Sequence, residues 1–255
     1  MKHLVAKKYL GQHFLRDKNI AKKIVNALSK EAQTVVEIGP GTGILTDLLV
    51  QQKNFDLYLV EVDSDLVTLL KKNYPALQDR IIAADFLKLS LFSLHSGPMT
   101  IVGNFPYNIV SQIFFKILAH KGQVREVVGM IQKEVAERLV AKPGSRAYGM
   151  MSVLLQAFYD LEYLFTVGPQ VFTPPPKVQS AVIRLRRNNT LQIDVDETLF
   201  FKVIKTGFQQ RRKILQNALK PLLPPQKAPS PLLAKRAEQL TVQDFVALTQ
   251  YVAAP

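Results

Sequence analysis

Between about residue 17 and residue 188 the chain alternates short apolar runs with stretches whose apolar residues recur every three to four positions. The runs TVVEIG (34–39), LYLVEVD (57–63), RIIAADFL (80–87) and MTIVGNF (99–105) read as buried strands. Helical spacing fills the gaps: Ile20, Ile24 and Leu28 behind a cap at Asp17, a helix from about Ile44, and one from about Ser64 stopped near Pro75. This βαβ rhythm predicts a parallel sheet with helices on both faces. Helices through Gln112–Leu118, Glu134–Leu139 and Met151–Phe158 and strands in REVVGMIQ, LEYLFTV and VQSAVIRLRR continue the pattern, the last two as an antiparallel edge hairpin.

Composition shifts near Asn188. Beyond Leu199 the pattern is helical and basic: FFKVIKTGF and RRKILQNALKPLL separated by Gly207, a proline-rich connector PLLPPQKAPSPLL, then TVQDFVALTQYV with Thr241 as N-cap. The predicted fold class is α/β, a Rossmann-like sheet over residues 1–190 followed by a small all-helical C-terminal domain over 191–255.

The net charge of +13 changes the picture because of where it sits. Residues 1–30 carry eight Lys/Arg against one acid and residues 200–255 nine against two, around a nearly neutral middle. Two basic ends suit a polyanion, and neither reads as an amphipathic lipid anchor, so nucleic acid is preferred to membrane. Lys7, Lys8, Lys177, Arg211, Arg212 and Lys213 are the candidate RNA contacts. The absence of cysteine removes disulfides and thiolate metal sites and fits a reducing compartment. With no apolar segment of membrane-spanning or signal length, a cytoplasmic location is expected. The histidines, His3, His13, His95 and His120, have no ligand spacing, so no metal site is expected and zinc-dependent deamination of adenine is set aside.

Gly39, Gly41 and Gly43 close the first strand, where glycine lets backbone approach a ligand. Glu61, 22 residues after Gly39, ends the second strand, where a doubly wound fold places a carboxylate for two ribose hydroxyls. Asp63 reads as a turn residue into the next helix. Asp85 ends the third strand, either facing a cofactor adenine or serving as a turn residue. Asn104-Phe105-Pro106-Tyr107 ends the fourth. The lone pair of adenine N6 is delocalised into its ring; the Asn104 amide oxygen and the Phe105 carbonyl, accepting its two N–H bonds, would localise that pair and aim it at a methyl sulfonium. Pro106 stiffens the turn and Tyr107 stacks on the base. In VFTPPPK, Phe172 is either the other face of a stacking slot or an apolar plug under a rigid loop, with Lys177 beside it for phosphate.

The segments KKYLGQHFLRD, EIGPGTGILT, VEVDSDL, AADFL, NFPYNI and FTPPPKVQSAVIRL, with the basic tail, resemble the ribosomal RNA adenine dimethyltransferase family, small-subunit rRNA type, over essentially the whole chain. The resemblance implies S-adenosylmethionine as methyl donor, held at positions matching His13, Leu15, Gly39, Gly41, Glu61, Asp85, Phe86 and Asn104. It also implies dimethylation of two adjacent adenosines in a hairpin loop near the 3′ end of small-subunit rRNA, within a pre-ribosomal subunit, by a monomer, with Tyr107 and Phe172 stacking on the target. His13 stands where the family usually has Asn, and Phe105 where Leu is more usual. The alternatives are a large-subunit rRNA adenine N6-methyltransferase, and a non-catalytic RNA-binding assembly or transcription factor on the same fold.

Overall fold

The computed structural model describes residues 6–190, 192–223 and 230–253. Most of the proline-rich connector, residues 224–229, lies outside that range, as does His3. The chain forms two compact units, Met1–Ala136 with Glu162–Arg187, and Glu137–Leu161 with Asn188–Pro255. The composition shift near Asn188 coincides with the second join. A single cut at 190 nevertheless misplaces 137–161, whose helical periodicity is indistinguishable from that of sheet-covering helices and which packs with the C-terminal helices instead.

The strands are β1 (Phe14–Leu15), β2 (Thr34–Ile38), β3 (Asp56–Glu61), β4 (Ile81–Ala83), β5 (Met99–Asn104), β6 (Val124–Gln132), β7 (Tyr159–Val167), β8 (Phe172–Thr173) and β9 (Ser180–Arg187). Seven form one sheet in the order β4-β3-β2-β5-β6-β9-β7, while β1 and β8 form a separate two-stranded ladder. β4 through β6 are mutually parallel and β9 runs antiparallel to β6. Every residue of β2 is buried, as expected for a central parallel strand covered on both faces. Strand order reverses between β2 and β5, and ligands of doubly wound sheets bind outside the carboxyl ends at such a switch point.

The helices of this unit are α1 (Lys18–Asn26), α2 (Thr46–Leu49), α3 (Ser64–Asn73), α4 (Leu91–Leu94) and α5 (Val110–Ala119), with α6 (Lys133–Val140) starting in it. Asp17 caps α1 by accepting from the Asn19 and Ile20 amides, and Asp63 caps α3 by accepting from Asp65 N, so both turn readings hold. The helical unit carries α7 (Met150–Gln156), α8 (Glu197–Gln209), α9 (Leu215–Ala218) and α10 (Val242–Ala253). Its core stacks Phe208 on Phe245, and Tyr148 meets Phe208 edge-on. Thr241 and Asp244 cap α10 reciprocally, each side chain accepting from the other's amide. Gly207 does not separate two helices. It lies buried inside α8, where an added Cβ would come 3.0 Å from Leu215, so it serves close packing and the chain breaks after Gln209. Among the described residues no helix is long and apolar enough to cross a membrane.

Candidate active site

A crevice with about 710 Å³ of free space, its open mouth included, lies at the carboxyl ends of β2, β3, β4 and β5. Of the residues expected from sequence, His13, Gly39, Gly41, Glu61, Asp85, Phe86, Asn104, Phe105, Pro106 and Tyr107 line it. Gly39 has φ 63° and Gly41 φ 58°, a region costly to side-chain-bearing residues. A Cβ on Gly39 would meet nothing within 4 Å, so at this strand end the backbone is bare toward open space. On Gly41 it would press on the Phe14 ring at 3.1 Å.

Glu61 is only 4% exposed, and its carboxylate accepts from Asp63 N at 2.9 Å and Gly41 N at 3.3 Å. Burial pushes its pKa up, while those amides pull it down. Each carboxylate oxygen keeps acceptor capacity for a hydroxyl. Asp85 accepts from Leu87 N through Oδ1 alone, so it is both a turn residue and a crevice-lining carboxylate.

Asn104 donates its Nδ2 to the His13 carbonyl at 2.8 Å. A carbonyl can only accept, so this bond selects one of the two amide orientations and leaves Oδ1 as the acceptor not committed to His13. Phe105 is buried: its amide bonds to Met130 O, and its ring lies against Gly103 and Gly129 and edge-on to Phe114. The missing side chains at Gly103 and Gly129 leave the space that this ring fills. Tyr107 is half-buried, and burial raises its pKa; its hydroxyl lies 2.5 Å from Ser180 Oγ and its ring stacks on His13.

Two expected side chains are elsewhere. Leu15 pairs with Phe172 across β1 and β8; both are buried in the core, 4% and 3% exposed, and neither side chain lines the crevice. Successive strand residues point to opposite faces, so Phe14 turns to the crevice and Leu15 away from it, and Phe172, opposite Leu15, follows it inward. Phe172 is the plug rather than the second stacking face. Lys7 is also reassigned: its Nζ lies 2.5 Å from Asp63 and 2.8 Å from Asp65, and Gln12 bonds to the same Asp63. Burial works against the charge on Asp63, but these partners hold its pKa below the ordinary value. Lys7 therefore straps the N-terminal arm to α3 instead of facing phosphate. Lys8 and Lys177 are exposed.

Sequence reasoning passed over Leu10, Gly11 and Gln12, which line the crevice from the arm, and Ser180, which holds Tyr107. It also passed over Glu37, 1% exposed, which accepts from the Thr46 hydroxyl at 2.7 Å and whose pKa burial raises to about 8. A carboxylate inside an otherwise apolar strand run was the available signal.

In the helical unit Arg211, Arg212 and Lys213 are exposed at the turn after α8. The Arg211 guanidinium donates to the carbonyls of Arg146 and Tyr148 at 3.1 and 3.0 Å.

The profile of the family described as Ribosomal RNA adenine dimethylase matches residues 4–254. The chain belongs to that family. As a ribosomal RNA adenine dimethylase it is an enzyme, an S-adenosylmethionine-dependent rRNA adenine dimethyltransferase. It is 52% identical over 252 residues to Ribosomal RNA small subunit methyltransferase A of Cytophaga hutchinsonii, covering 98% of each chain. It is 52% identical to the protein of that name from Parabacteroides distasonis, covering 98% of this chain and 94% of that one. Among solved structures, the dimethylase fold is shared with a dimethyladenosine transferase from Plasmodium falciparum (TM-score 0.77, 24% identity, 92% and 96% of the two chains). It is shared too with the 23S rRNA methyltransferase ErmE (TM-score 0.70, 24% identity, 93% and 99%).

Proposed function

We propose that this enzyme dimethylates N6 of two adjacent adenosines in a hairpin loop near the 3′ end of small-subunit rRNA, in the cytoplasm, acting as a monomer on a pre-ribosomal small subunit. The relatives at about half identity over nearly their whole length carry the small-subunit name, which favours that substrate over the large-subunit alternative. The intact Asn104–Tyr107 turn at the cofactor crevice favours catalysis over RNA binding alone.

S-adenosylmethionine supplies an electrophilic methyl group, and the crevice residues fit it. Glu61 would accept from the ribose hydroxyls, Asp85 from the adenine amino group, Phe86 would pack on the adenine, and the strand-end turn through Gly39 and Gly41, bare at Gly39, would admit the methionine end. His13 and Leu15 contribute main-chain contacts only. No metal is required.

The observation that supports this mechanism is the bond from Asn104 Nδ2 to the His13 carbonyl, which leaves Oδ1 as the amide's acceptor for an incoming base. Oδ1 accepts one N6–H and the Phe105 carbonyl the other, localising the nitrogen lone pair as methyl transfer begins. No strong base is needed, because the proton leaves after nitrogen has become cationic. Tyr107, its hydroxyl tied to Ser180, offers a ring for stacking. Because the acceptors count most at the transition state, Asn104→Ala should lower the single-turnover rate about 10²-fold or more at saturating S-adenosylmethionine, with little change in RNA affinity. Labelled cofactor, undermethylated small subunits and mass mapping of the modified nucleotides provide the assay. Near wild-type transfer by the variant would refute the mechanism, and label outside that loop would refute the substrate.

A further inference from the structure

His13 makes two side-chain contacts that a cofactor-binding role does not require. Its Nδ1 lies 2.7 Å from the Pro174 carbonyl, and its ring stacks on Tyr107 with centroids 5.6 Å apart and planes 29° apart. A carbonyl has no proton to give, so Nδ1 is the donor in this bond, and the bond and the stacking together orient the ring. Tyr107 is thereby held at two points, its hydroxyl by Ser180 at the start of β9 and one ring face by His13. With Phe172 buried in the core, His13 is the aromatic group that meets Tyr107. An asparagine at this position could reach Pro174 but could not stack.

We infer that the His13 side chain is a positioning residue for methyl transfer, a ring brace that clamps Tyr107 from one side and ties the Pro174 loop to the crevice. It leaves the opposite face of Tyr107 to the target base. The inference rests on the proposed role of Tyr107 and Asn104 at that base, and it adds a function to His13 separate from main-chain contact with the cofactor.

The experiment compares His13→Asn, His13→Phe and His13→Ala with Asn104→Ala in the full-length enzyme, on undermethylated small subunits. Single-turnover rates at saturating S-adenosylmethionine are read beside calorimetric cofactor affinity. Loss of an aromatic contact should slow His13→Asn and His13→Ala by about 3- to 10-fold while cofactor affinity stays within about twofold, and His13→Phe should recover most of the rate. Thermal unfolding identifies any variant that fails to fold, and His13→Asn, which keeps a polar side chain able to reach Pro174, decides the matter if His13→Ala does not fold. Unchanged rates in His13→Asn and His13→Ala, beside a collapsed Asn104→Ala, would overturn the brace and leave the catalytic reading intact. A loss confined to cofactor affinity would overturn it as well, making His13 a ligand contact. A fully active Asn104→Ala would instead remove the reading on which the brace is built.

Discussion

At the scale of single residues, the site depends on which polar atoms are committed to the protein and which remain for a ligand. Glu61, Asp85 and Asn104 each use part of their hydrogen-bonding capacity on neighbouring backbone and keep the remainder facing the crevice. Their residue types and strand-end positions were legible in sequence, because polar residues at three successive strand carboxyl ends converge on one crevice, even though a single such residue, like Asp63, can equally be a cap. Phe172 and Lys7 were not legible. Whether an aromatic points into a slot or a core depends on the parity of a two-residue ladder, and whether a lysine meets phosphate depends on Asp63 and Asp65, more than fifty residues away. The Phe105 environment yields a residue-level prediction. A Cβ on Gly129 would come 2.5 Å from the Phe105 ring, so Gly129→Ala should destabilise the protein by about 1–3 kcal/mol through overpacking. Phe105→Leu in the same chain should return part of that loss, since the smaller side chain vacates the contested space. Chemical denaturation of both single variants and the double variant measures the coupling. Additive effects would show that the ring and the glycine are independent.

At the scale of elements, the seven strands of the main sheet and most helices followed from periodicity, and the caps at Asp17, Asp63 and Thr241 from residue type, whereas the two-residue ladder of β1 and β8 is too short to show a period. Gly207 misled because glycine breaks helices by conformational freedom but also permits close approach, and only the packing of Leu215 distinguishes the two. Within β2, the most thoroughly buried strand, Glu37 has a definite consequence. Its ordinary value is 4.5, and burial raises it in the folded protein to about 8. Between these values the folded chain holds a proton that the unfolded chain has lost. Stability therefore falls as pH rises through that window and levels off above it. Each unit of displacement corresponds to about 1.4 kcal/mol. Glu37→Gln, neutral at every pH and able to keep the Thr46 bond, should lose less stability than the parent between pH 5 and pH 8, by at least about 1 kcal/mol. Denaturant midpoints of the cofactor-free proteins at the two pH values check this; parallel pH profiles would place the titration elsewhere.

At the scale of the whole molecule, the charge distribution read from sequence put a basic segment at each end, and the structure divides those charges into bound and available ones. Lys7 is bound to Asp63 and Asp65, and Arg211 donates to two carbonyls of its own unit, whereas Arg212 and Lys213 are exposed beside it. Composition shows how many cations a segment carries, but their engagement is set by carbonyls and carboxylates brought close only on folding. If the turn after α8 faces rRNA, the two available side chains release counterions from phosphate when the complex forms. Each such contact adds about 0.7 to the magnitude of the slope of log K against log salt concentration for single strands. Neutralising Arg212 and Lys213 together should thus reduce that magnitude by about 1.4 and weaken binding most at low salt. Arg211→Ala should act differently, lowering the thermal stability of the chain through two lost carbonyl bonds while leaving the slope within about 0.3 of the parent. Titrating rRNA at several salt concentrations, with thermal unfolding of the same preparations, separates these outcomes. If Arg212 and Lys213 can be neutralised without altering the slope, the RNA-facing surface of the helical unit is not at this turn, and the charge in the tail serves some purpose other than phosphate contact.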